Sequence, residues 1–320
     1  MQTPSVPRLE NLLGAEHLSP TDIRFLFDTA KAFAPIVAKD ETLPLLKGLT
    51  VVHLFFEAST RTLVSFDLAA RKLGATTVNF SSASSSVKKG ETLLDTAKNI
   101  QAMRPHCIVV RHECAGSPHI LAKHLKLPII NAGDGFHEHP TQGLLDAFTI
   151  EEKVGSVAGK TIVIIGDIAH SRVARSNIHV LKKLGAKVTV CSPPSLMPPA
   201  PEALGVQTAF RLEEALPEAD VVMALRIQLE RQNKMQIPTL GEYSRFWGIN
   251  DERAKLLKKN CIILHPGPIN RGVELTPDVA DGPQSVILDQ VANGILIRMA
   301  VLATVCRPKE LGEWRKGATP

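Results

Sequence analysis

The fold of this chain is decided by Val51-Val52-His53-Leu54-Phe55-Phe56 and by Ser59-Thr60-Arg61-Thr62, with two residues between the segments. The apolar run predicts a short buried strand. After the hydroxyl-rich turn, apolar residues recur with helical spacing until Gly74, so a helix begins at the turn. The segment therefore forms a strand–turn–helix unit.

The turn has the composition of an anion-binding site. A helix start leaves backbone N–H groups unpaired and carries the positive end of the helix dipole. Arg61 adds a forked positive charge that suits phosphate. Ser and Thr are also ordinary helix caps, and an arginine in a first turn is usually solvated. These residues alone therefore leave both interpretations open.

Strand-like apolar runs and helical patterns alternate along the rest of the chain. The predicted strands are Val51–Phe56, Cys107–Arg111, Pro128–Asn131, Thr161–Gly166, Lys187–Cys191, Val221–Leu225 and Cys261–Leu264. The predicted helices are Thr62–Leu73, Thr92–Met103, Pro118–Leu125, Gln142–Glu152, Val173–Leu184, Asp251–Lys258 and a closing helix, Gln290–Val305. This alternation predicts parallel sheets with helices on both faces.

A turn at Gly155–Lys160 separates two series of strands. We therefore predict an α/β protein of two doubly wound parallel-sheet domains, with the active site in the cleft between them. The first domain is expected to span residues 1–155 and to be completed by the C-terminal helix 290–320. The second is expected to span residues 156–289.

Composition excludes several classes of protein. The five cysteines are scattered and form no Cys-x-x-Cys pair, which argues for a reducing compartment and against a zinc or disulfide framework. A net charge of +5 with 4% aromatic residues and no basic stripe argues against nucleic-acid binding. No apolar run approaches the ~18 residues of a membrane span, and no secretory core is visible. We expect a cytoplasmic protein that binds neither nucleic acid nor membrane.

Two further segments of the first domain carry candidate ligand groups. Ser84–Glu91 is a polar loop that could bring Lys89 to an anion, although for this segment by itself a surface loop with two solvated lysines is the favoured interpretation. His139-Pro140-Thr141-Gln142 follows a strand end, where His139 and Gln142 could bind a carbonyl and an amide, or His139 could be a structural cap. His137 and His139 offer no third ligand with metal-site spacing, so we expect no metal.

The second domain offers arginines at two strand ends. Arg172 follows Gly166, which stands without the Gly-x-Gly-x-x-Gly pattern of dinucleotide sites. Arg226 follows the strand at Val221–Leu225, and two arginines so placed suit a substrate with two carboxylates, unless both are solvated. His265-Pro266-Gly267-Pro268 is a rigid turn whose carbonyls could accept from a substrate NH₂ group.

Taken together, these segments resemble the catalytic chains of the aspartate carbamoyltransferases. Phe-Phe-Glu-x-Ser-Thr-Arg-Thr, Lys-Gly-Glu-Thr, His-Pro-Thr-Gln and His-Pro-x-Pro occur in that family's order, and the resemblance runs from about Leu9 to Val305. The related ornithine enzymes carry a Ser-Met-Gly loop and a His-Cys-Leu-Pro turn, which are absent here. Doubly wound folds also serve nicotinamide-dependent dehydrogenases and non-catalytic scaffolds, so the fold by itself does not decide the activity.

The resemblance implies a role for each candidate residue. Carbamoyl phosphate would be bound by Ser59, Thr60, Arg61, Thr62, Arg111, His139, Gln142, Gly267 and Pro268. Aspartate would be bound by Lys89, Arg172, Arg226 and Gln228. Arg61, Thr62, Lys89, Arg111 and His139 would be the catalytic residues. Ser85 and Lys89 would reach into a neighbouring subunit's site, because the family builds shared sites in a homotrimer.

The resemblance also implies the chemistry and its requirements. The amine of aspartate would attack the carbamoyl carbon, and the preorganised donors Thr62, Arg111 and His139 would stabilise the charge on the carbonyl oxygen. Arg61 and Lys89 would neutralise the departing phosphate. No metal or organic cofactor would be needed. The sequence leaves open a larger assembly with dihydroorotase-type or regulatory chains.

Overall fold

The computed structural model of the chain describes residues 6–81, 91–227 and 239–318, and it divides into two compact units. Unit 1 contains the described residues up to Thr141 and those from Asn293 onward, and unit 2 runs from Gln142 to Ala292. Each unit is built on a parallel sheet, which confirms an α/β class with two parallel-sheet domains. The domain limits given above stay a prediction.

Strands and helices alternate within the described ranges. The strands are β1 (Thr50–Phe55), β2 (Thr76–Ser81), β3 (Cys107–His112), β4 (Ile129–Asp134), β5 (Thr161–Ile165), β6 (Lys187–Cys191), β7 (Gln207–Ala209), β8 (Val221–Ala224) and β9 (Ile262–Leu264). The helices are α1 (Pro20–Ala38), α2 (Thr60–Lys72), α3 (Leu93–Ala102), α4 (Ser117–His124), α5 (Pro140–Val154), α6 (Arg172–Lys183), α7 (Leu212–Ala215), α8 (Leu240–Trp247), α9 (Asp251–Ala254), α10 (Pro277–Ala280), α11 (Ile287–Cys306) and α12 (Pro308–Ala318).

The sheet of unit 1 has the strand order β2-β1-β3-β4. Its two central strands, β1 and β3, pair in parallel, with Val52 opposite Ile108. Both strands are buried along almost their whole length, as expected for strands covered by helices on both faces. Because all four strands are parallel, the segments that leave β1, β3 and β4 begin at the same edge of the sheet.

The sheet of unit 2 has the strand order β7-β6-β5-β8-β9. Its core contains Val163, Val222 and Ile263, which lie on three neighbouring strands and are buried. The connections that follow β5, β8 and β9 therefore also begin at one edge of their sheet. At the start of the first of them, Gly166 has a φ of 131°, and a Cβ there would lie 2.9 Å from Leu225 Cβ, so only glycine fits.

Helix α11 is the predicted closing helix. By length and composition it is apolar enough to cross a membrane, so the expectation that no segment approaches a membrane span is wrong for this helix. Its apolar window is 67% buried inside the protein, as in the core helix of a soluble domain. We therefore assign α11 to the protein core.

Candidate active site

The N-terminus of α2 is the first element of the site. Ser59 is the N-cap residue, and its side chain makes no capping hydrogen bond. The helical ladder begins with Leu63 N–H, which donates to Ser59 C=O at 3.1 Å. The N–H groups of the first turn lie ahead of this ladder, as at any helix start. Thr62 is buried and Arg61 is exposed, so this helix start presents hydroxyls, N–H groups and a guanidinium together.

Arg111 is the second element, near the end of β3. Its Nη2 donates to Glu57 Oε1 at 2.8 Å, and its Nη1 donates to Ala132 C=O at 3.1 Å. The residue as a whole is 8% exposed. A guanidinium held at two of its nitrogens keeps one orientation, which is the preorganisation that a catalytic cation requires.

His139 is the third element, directly before Pro140, the first residue of α5. The loop that leads to it is held by the buried carboxylate of Asp134. The Oδ1 of this carboxylate accepts from Glu138 N–H at 3.1 Å and from Asn131 Nδ2 at 2.8 Å, and its Oδ2 accepts from Gly116 N–H at 2.7 Å. His139 is buried as well, at 4% exposure. We call the Asp134 carboxylate and these hydrogen bonds the loop clamp. The loop clamp fixes the path of the chain from β4 to His139.

The three elements lie at one edge of the unit 1 sheet. The helix start follows β1, Arg111 lies at the end of β3, and His139 follows β4, and these strands are adjacent in the order β1-β3-β4. Backbone bonds tie the connections together, since Phe56 N–H donates to Arg111 C=O at 2.9 Å and Gly135 N–H donates to His112 C=O at 2.9 Å. The structure thus brings together residues that are far apart in the sequence.

A set of groups with metal-ligating chemistry lies in the same unit. The ligand atoms of His119, Asp134 and His137 are within 4.8 Å of one another. The expectation that His137 has no suitable neighbours is therefore wrong, although His139 is not part of the group. The Asp134 oxygens already accept the three hydrogen bonds described above, and Oδ2 also lies 3.0 Å from His137 Nδ1. We assign this carboxylate to the loop clamp.

Unit 2 has a corresponding edge with positive charge. Arg172 is the first residue of α6, which Ser171 caps by accepting from Ala174 N–H at 3.1 Å. Arg226 follows β8, and both arginines lie after adjacent strands, β5 and β8. Arg172 is 4% exposed and Arg226 is half-buried, so neither is an ordinary solvated surface arginine.

The turn after β9 is the third connection at this edge. Gly267 N–H donates to His265 Nδ1 at 2.8 Å. Gly267 has a φ of 66°, a left-handed conformation that favours glycine, and its bond to Pro268 is cis. The hydrogen bond between Gly267 and His265 ties the two ends of this short turn together.

Glu274 connects this turn to the segment that carries Arg226. The Glu274 side chain is buried, and its Oε1 accepts from Ile227 N–H at 2.9 Å. Its Oε2 accepts from Asn270 N–H at 2.7 Å. One carboxylate thus braces the residue next to Arg226 and the chain just beyond Pro268. Its position in a loop carries no periodic signal, so the sequence did not reveal it.

Of the remaining candidate residues, the structure describes Gln142 but not Ser85, Lys89 or Gln228. Gln142 is buried, at 9% exposure, and its Nε2 donates to Asp146 Oδ1 at 2.8 Å. Ser85, Lys89 and Gln228 lie outside the described residues.

Two functional candidates, Asp146 and Glu57, were not predicted from the sequence. The i,i+4 spacing of Gln142 and Asp146 on α5, and the Glu in the Phe-Phe-Glu motif, were the signals that could have revealed them.

Comparison with known proteins matches two segments of the chain to the two domains of one enzyme family. Residues 10–152 match the family described as aspartate/ornithine carbamoyltransferase, carbamoyl-P binding domain, and residues 158–305 match the Asp/Orn binding domain of the same enzymes. A protein of Syntrophotalea carbinolica named aspartate carbamoyltransferase catalytic subunit is 53% identical over 303 residues, which cover 94% of this chain and 97% of the relative.

Solved structures agree with these matches. Aspartate transcarbamoylase from Trypanosoma cruzi in complex with N-(phosphonacetyl)-L-aspartic acid is 33% identical, with a TM-score of 0.85, over 95% of this chain and 98% of that chain. Ornithine carbamoyltransferase from Pyrococcus furiosus is 29% identical, with a TM-score of 0.82, over 93% of this chain and 97% of that chain. The fold is thus common to both substrate types. The chain belongs to the aspartate/ornithine carbamoyltransferase family.

Proposed function

We propose that this chain transfers the carbamoyl group of carbamoyl phosphate to the amino group of L-aspartate, giving N-carbamoyl-L-aspartate and phosphate. The observation that carries the proposal is the edge of the unit 1 sheet, where the α2 N-terminus, Arg111 and His139 lie at or just beyond the ends of three adjacent strands. Relatives named aspartate carbamoyltransferase catalytic subunit cover more than nine tenths of the chain, which favours aspartate as the acceptor.

Carbamoyl phosphate is the substrate of the unit 1 edge. Ser59, Thr60, Arg61 and Thr62 bind its phosphate through hydroxyls, helix N–H groups and charge. Arg111 bridges phosphate and carbonyl oxygen. His139 donates to the carbonyl oxygen, Gln142 binds the carbamoyl amide, and carbonyl groups of Gly267 and Pro268 accept from its NH₂.

Aspartate is the substrate of the unit 2 edge. Arg172 and Arg226 each hold a carboxylate with a forked guanidinium, and Gln228 adds an amide. Lys89 contacts both the aspartate and the phosphate. A single arginine would not distinguish a diacid from an ordinary amino acid. The pair at adjacent strand ends is what favours aspartate over ornithine, whose side chain is a cation.

The reaction follows from charge and proximity. The neutral amine of aspartate attacks the carbamoyl carbon, and negative charge grows on the carbonyl oxygen. Thr62, Arg111 and His139 donate to that oxygen, and their fixed positions avoid a reorganisation cost during the reaction. Phosphate leaves with the bonding electron pair and takes the amine proton, while Arg61 and Lys89 offset its charge. Positioning of the two reactants supplies most of the remaining rate.

The assembly belongs to the same proposal. We place the carbamoyl-phosphate domain at 1–155 with 290–320 and the aspartate domain at 156–289. Ser85 and Lys89 complete the site of a neighbouring subunit in a homotrimer, which works in the cytoplasm. Dihydroorotase-type or regulatory chains would bind to that trimer, not replace it. The chemistry requires neither a metal nor an organic cofactor.

Protection from heat by a bisubstrate compound tests the proposal. N-(phosphonacetyl)-L-aspartate joins a phosphonate to the diacid, so one molecule occupies both substrate positions. At about 100 times its Kd, a ligand stabilises the folded state by about 2.7 kcal/mol, which corresponds to a rise in Tm of a few degrees. N-acetyl-L-aspartate, which lacks the phosphonate, is the control. Equal melting curves with and without the bisubstrate compound would overturn the proposal.

A further inference from the structure

A buried carboxylate in unit 2 accepts hydrogen bonds from three side-chain amides, one of which belongs to the proposed carbamoyl site. Asp146 lies on α5 and is fully buried. Its Oδ1 accepts from Gln142 Nε2 at 2.8 Å and from Gln290 Nε2 at 2.7 Å, and its Oδ2 accepts from Asn177 Nδ2 at 2.8 Å. Burying a carboxylate and three amides costs free energy unless hydrogen bonds between them replace those lost to water.

The carboxylate fixes which way the Gln142 amide points. The two Asp146 oxygens accept from three amide NH₂ groups, so the NH₂ of Gln142, and not its carbonyl, faces Asp146. The Gln142 Oε1 is therefore directed away from Asp146 as an acceptor. An acceptor in that position suits the NH₂ of a carbamoyl group and would repel a carbonyl oxygen.

The same carboxylate orients a second amide. Gln290 turns its NH₂ toward Asp146, which leaves its Oε1 to accept from His265 N–H at 2.9 Å. His265 in turn accepts from Gly267 N–H through Nδ1. The hydrogen bonds thus run without interruption from Asp146 to the backbone of the turn that carries the Gly267 carbonyl.

We propose that Asp146 is a positioning residue for carbamoyl recognition. It sets the Gln142 carbonyl and, through Gln290, the His265–Pro268 turn as two acceptors for one NH₂ group, and it does so without touching the substrate. The inference rests on the proposed function. It explains how the site distinguishes the NH₂ of carbamoyl phosphate from the CH₃ of acetyl phosphate, which donates no such hydrogen bonds.

The substitution Asp146→Asn tests this role. Asparagine keeps the volume but faces one of the incoming amides with an NH₂ group, so Gln142 can rotate and present a donor to the substrate. We expect kcat/KM for carbamoyl phosphate to fall by about 10- to 100-fold, with the KM for aspartate changed by less than about threefold. Thr149→Val is the matched control, because it removes a buried hydroxyl from the same helix, where Thr149 Oγ1 donates to Leu145 C=O at 2.8 Å.

A double-mutant cycle separates positioning from plain stability. If Asp146 acts through Gln142, the losses in Asp146→Asn and Gln142→Ala overlap, and the double variant is at least about fivefold more active than the product of the two losses predicts. For the control pair, Thr149→Val with Gln142→Ala, we expect the two losses to multiply. If the losses in Asp146→Asn and Gln142→Ala also multiply, the inference is overturned. Circular dichroism and Tm are measured for every variant.

A second variant covers the case in which Asp146→Asn does not fold. Gln290→Met keeps the carboxylate and removes only the link to His265, and we expect a loss of about tenfold in kcat/KM for carbamoyl phosphate. Unchanged kinetics in this variant would overturn the link to the turn. A wild-type chain that makes no carbamoyl-aspartate would instead overturn the proposed function itself, so the two failures are distinguishable.

Discussion

Arg111 and Glu57 form a partly buried ion pair in which Nη2 lies 2.8 Å from Oε1. The two residues lie at the ends of adjacent strands, β3 and β1. The exposed fraction of the side chain is 10% for the arginine and 20% for the glutamate. Water therefore screens the pair less than it screens surface pairs. The glutamate aims the guanidinium, and the arginine is the group proposed to bridge phosphate and carbonyl oxygen.

We expect Glu57→Gln to lower kcat by about tenfold, because a charge-assisted hydrogen bond becomes a neutral one and the guanidinium loses its fixed orientation. The measurement is steady-state kinetics with both substrates saturating. Asp40→Asn is the control, since Asp40 pairs with Lys72 and its side chain is almost wholly exposed. Equal effects of the two substitutions would contradict the role assigned to Glu57.

Arg61 is exposed, but we expect it to contribute strongly to turnover. Arg61→Ala removes the charge at the α2 N-terminus, and we expect kcat to fall by about 10²-fold or more with Tm unchanged. Arg71→Ala is the matched control, because Arg71 lies at the other end of the same helix and pairs with Asp67 there. Near-normal turnover of Arg61→Ala, measured beside a circular dichroism spectrum, would refute phosphate binding at this helix start.

Mixed trimers test the proposed sharing of sites between subunits. If Lys89 of one subunit serves the site of its neighbour, Arg61→Ala and Lys89→Ala chains that are each inactive will form some intact sites when they are mixed. We expect activity to reappear after the two are dissociated and reassembled together. Each variant reassembled with itself is the control. Mixtures that stay as inactive as the separate variants would refute a shared site.

His53 gives unit 1 a defined pH dependence. Burial lowers the pKa of this imidazole below its ordinary value, while the unfolded chain titrates near its normal pKa of about 6.5. Below that pH the unfolded state binds more protons than the folded state, so the free energy of unfolding falls as the pH is lowered. Its contribution is complete above pH about 6.5 and is lost progressively on acidification.

We expect His53→Gln to flatten this dependence when urea unfolding is compared at pH 5, 6 and 7. The ring Nδ1 lies 2.6 Å from Asn79 Oδ1, and glutamine can keep that contact without titrating. His124→Gln, which removes an exposed imidazole, controls for the loss of a histidine as such. A slope that is the same in wild type and His53→Gln would contradict the assignment.

Much of the fold could be predicted because the central strands are short, apolar runs. The segment predicted at Lys187–Cys191 is β6 residue for residue, and the one at Val51–Phe56 differs from β1 by one residue at each end. Two strands were missed, β2 and β7, which lie at sheet edges. Both are largely polar and partly exposed, so they give no continuous apolar run, whereas the more buried edge strands β4 and β9 were predicted.

The helices show the same dependence on local signals. Helix α1 was not predicted, although it is 19 residues long and begins with a capping box formed by Ser19 and Asp22, a signal that the sequence does carry. The helix predicted at Asp251–Lys258 ends at Ala254. The helix starts that carry Ser59 and Arg172 were placed correctly within about two residues, because hydroxyl-bearing caps mark them.

The site residues for which the sequence gives the weakest signals are those that act through others. Arg111 and His139 stand at strand ends, where the fold class alone predicts ligand groups. Asp146 and Glu274 are buried carboxylates whose partners are up to 144 residues away in the sequence. Only the folded chain shows which donors reach them.

The most direct test of the account is whether the purified chain makes N-carbamoyl-L-aspartate. We expect one equivalent of this product and one of phosphate from carbamoyl phosphate and L-aspartate, measured by colorimetric assay and mass spectrometry. With L-ornithine in place of aspartate we expect no citrulline. Citrulline formation in preference to carbamoyl-aspartate, or hydrolysis of carbamoyl phosphate with no transfer, would contradict the assignment of the two arginine-bearing strand ends to a diacid.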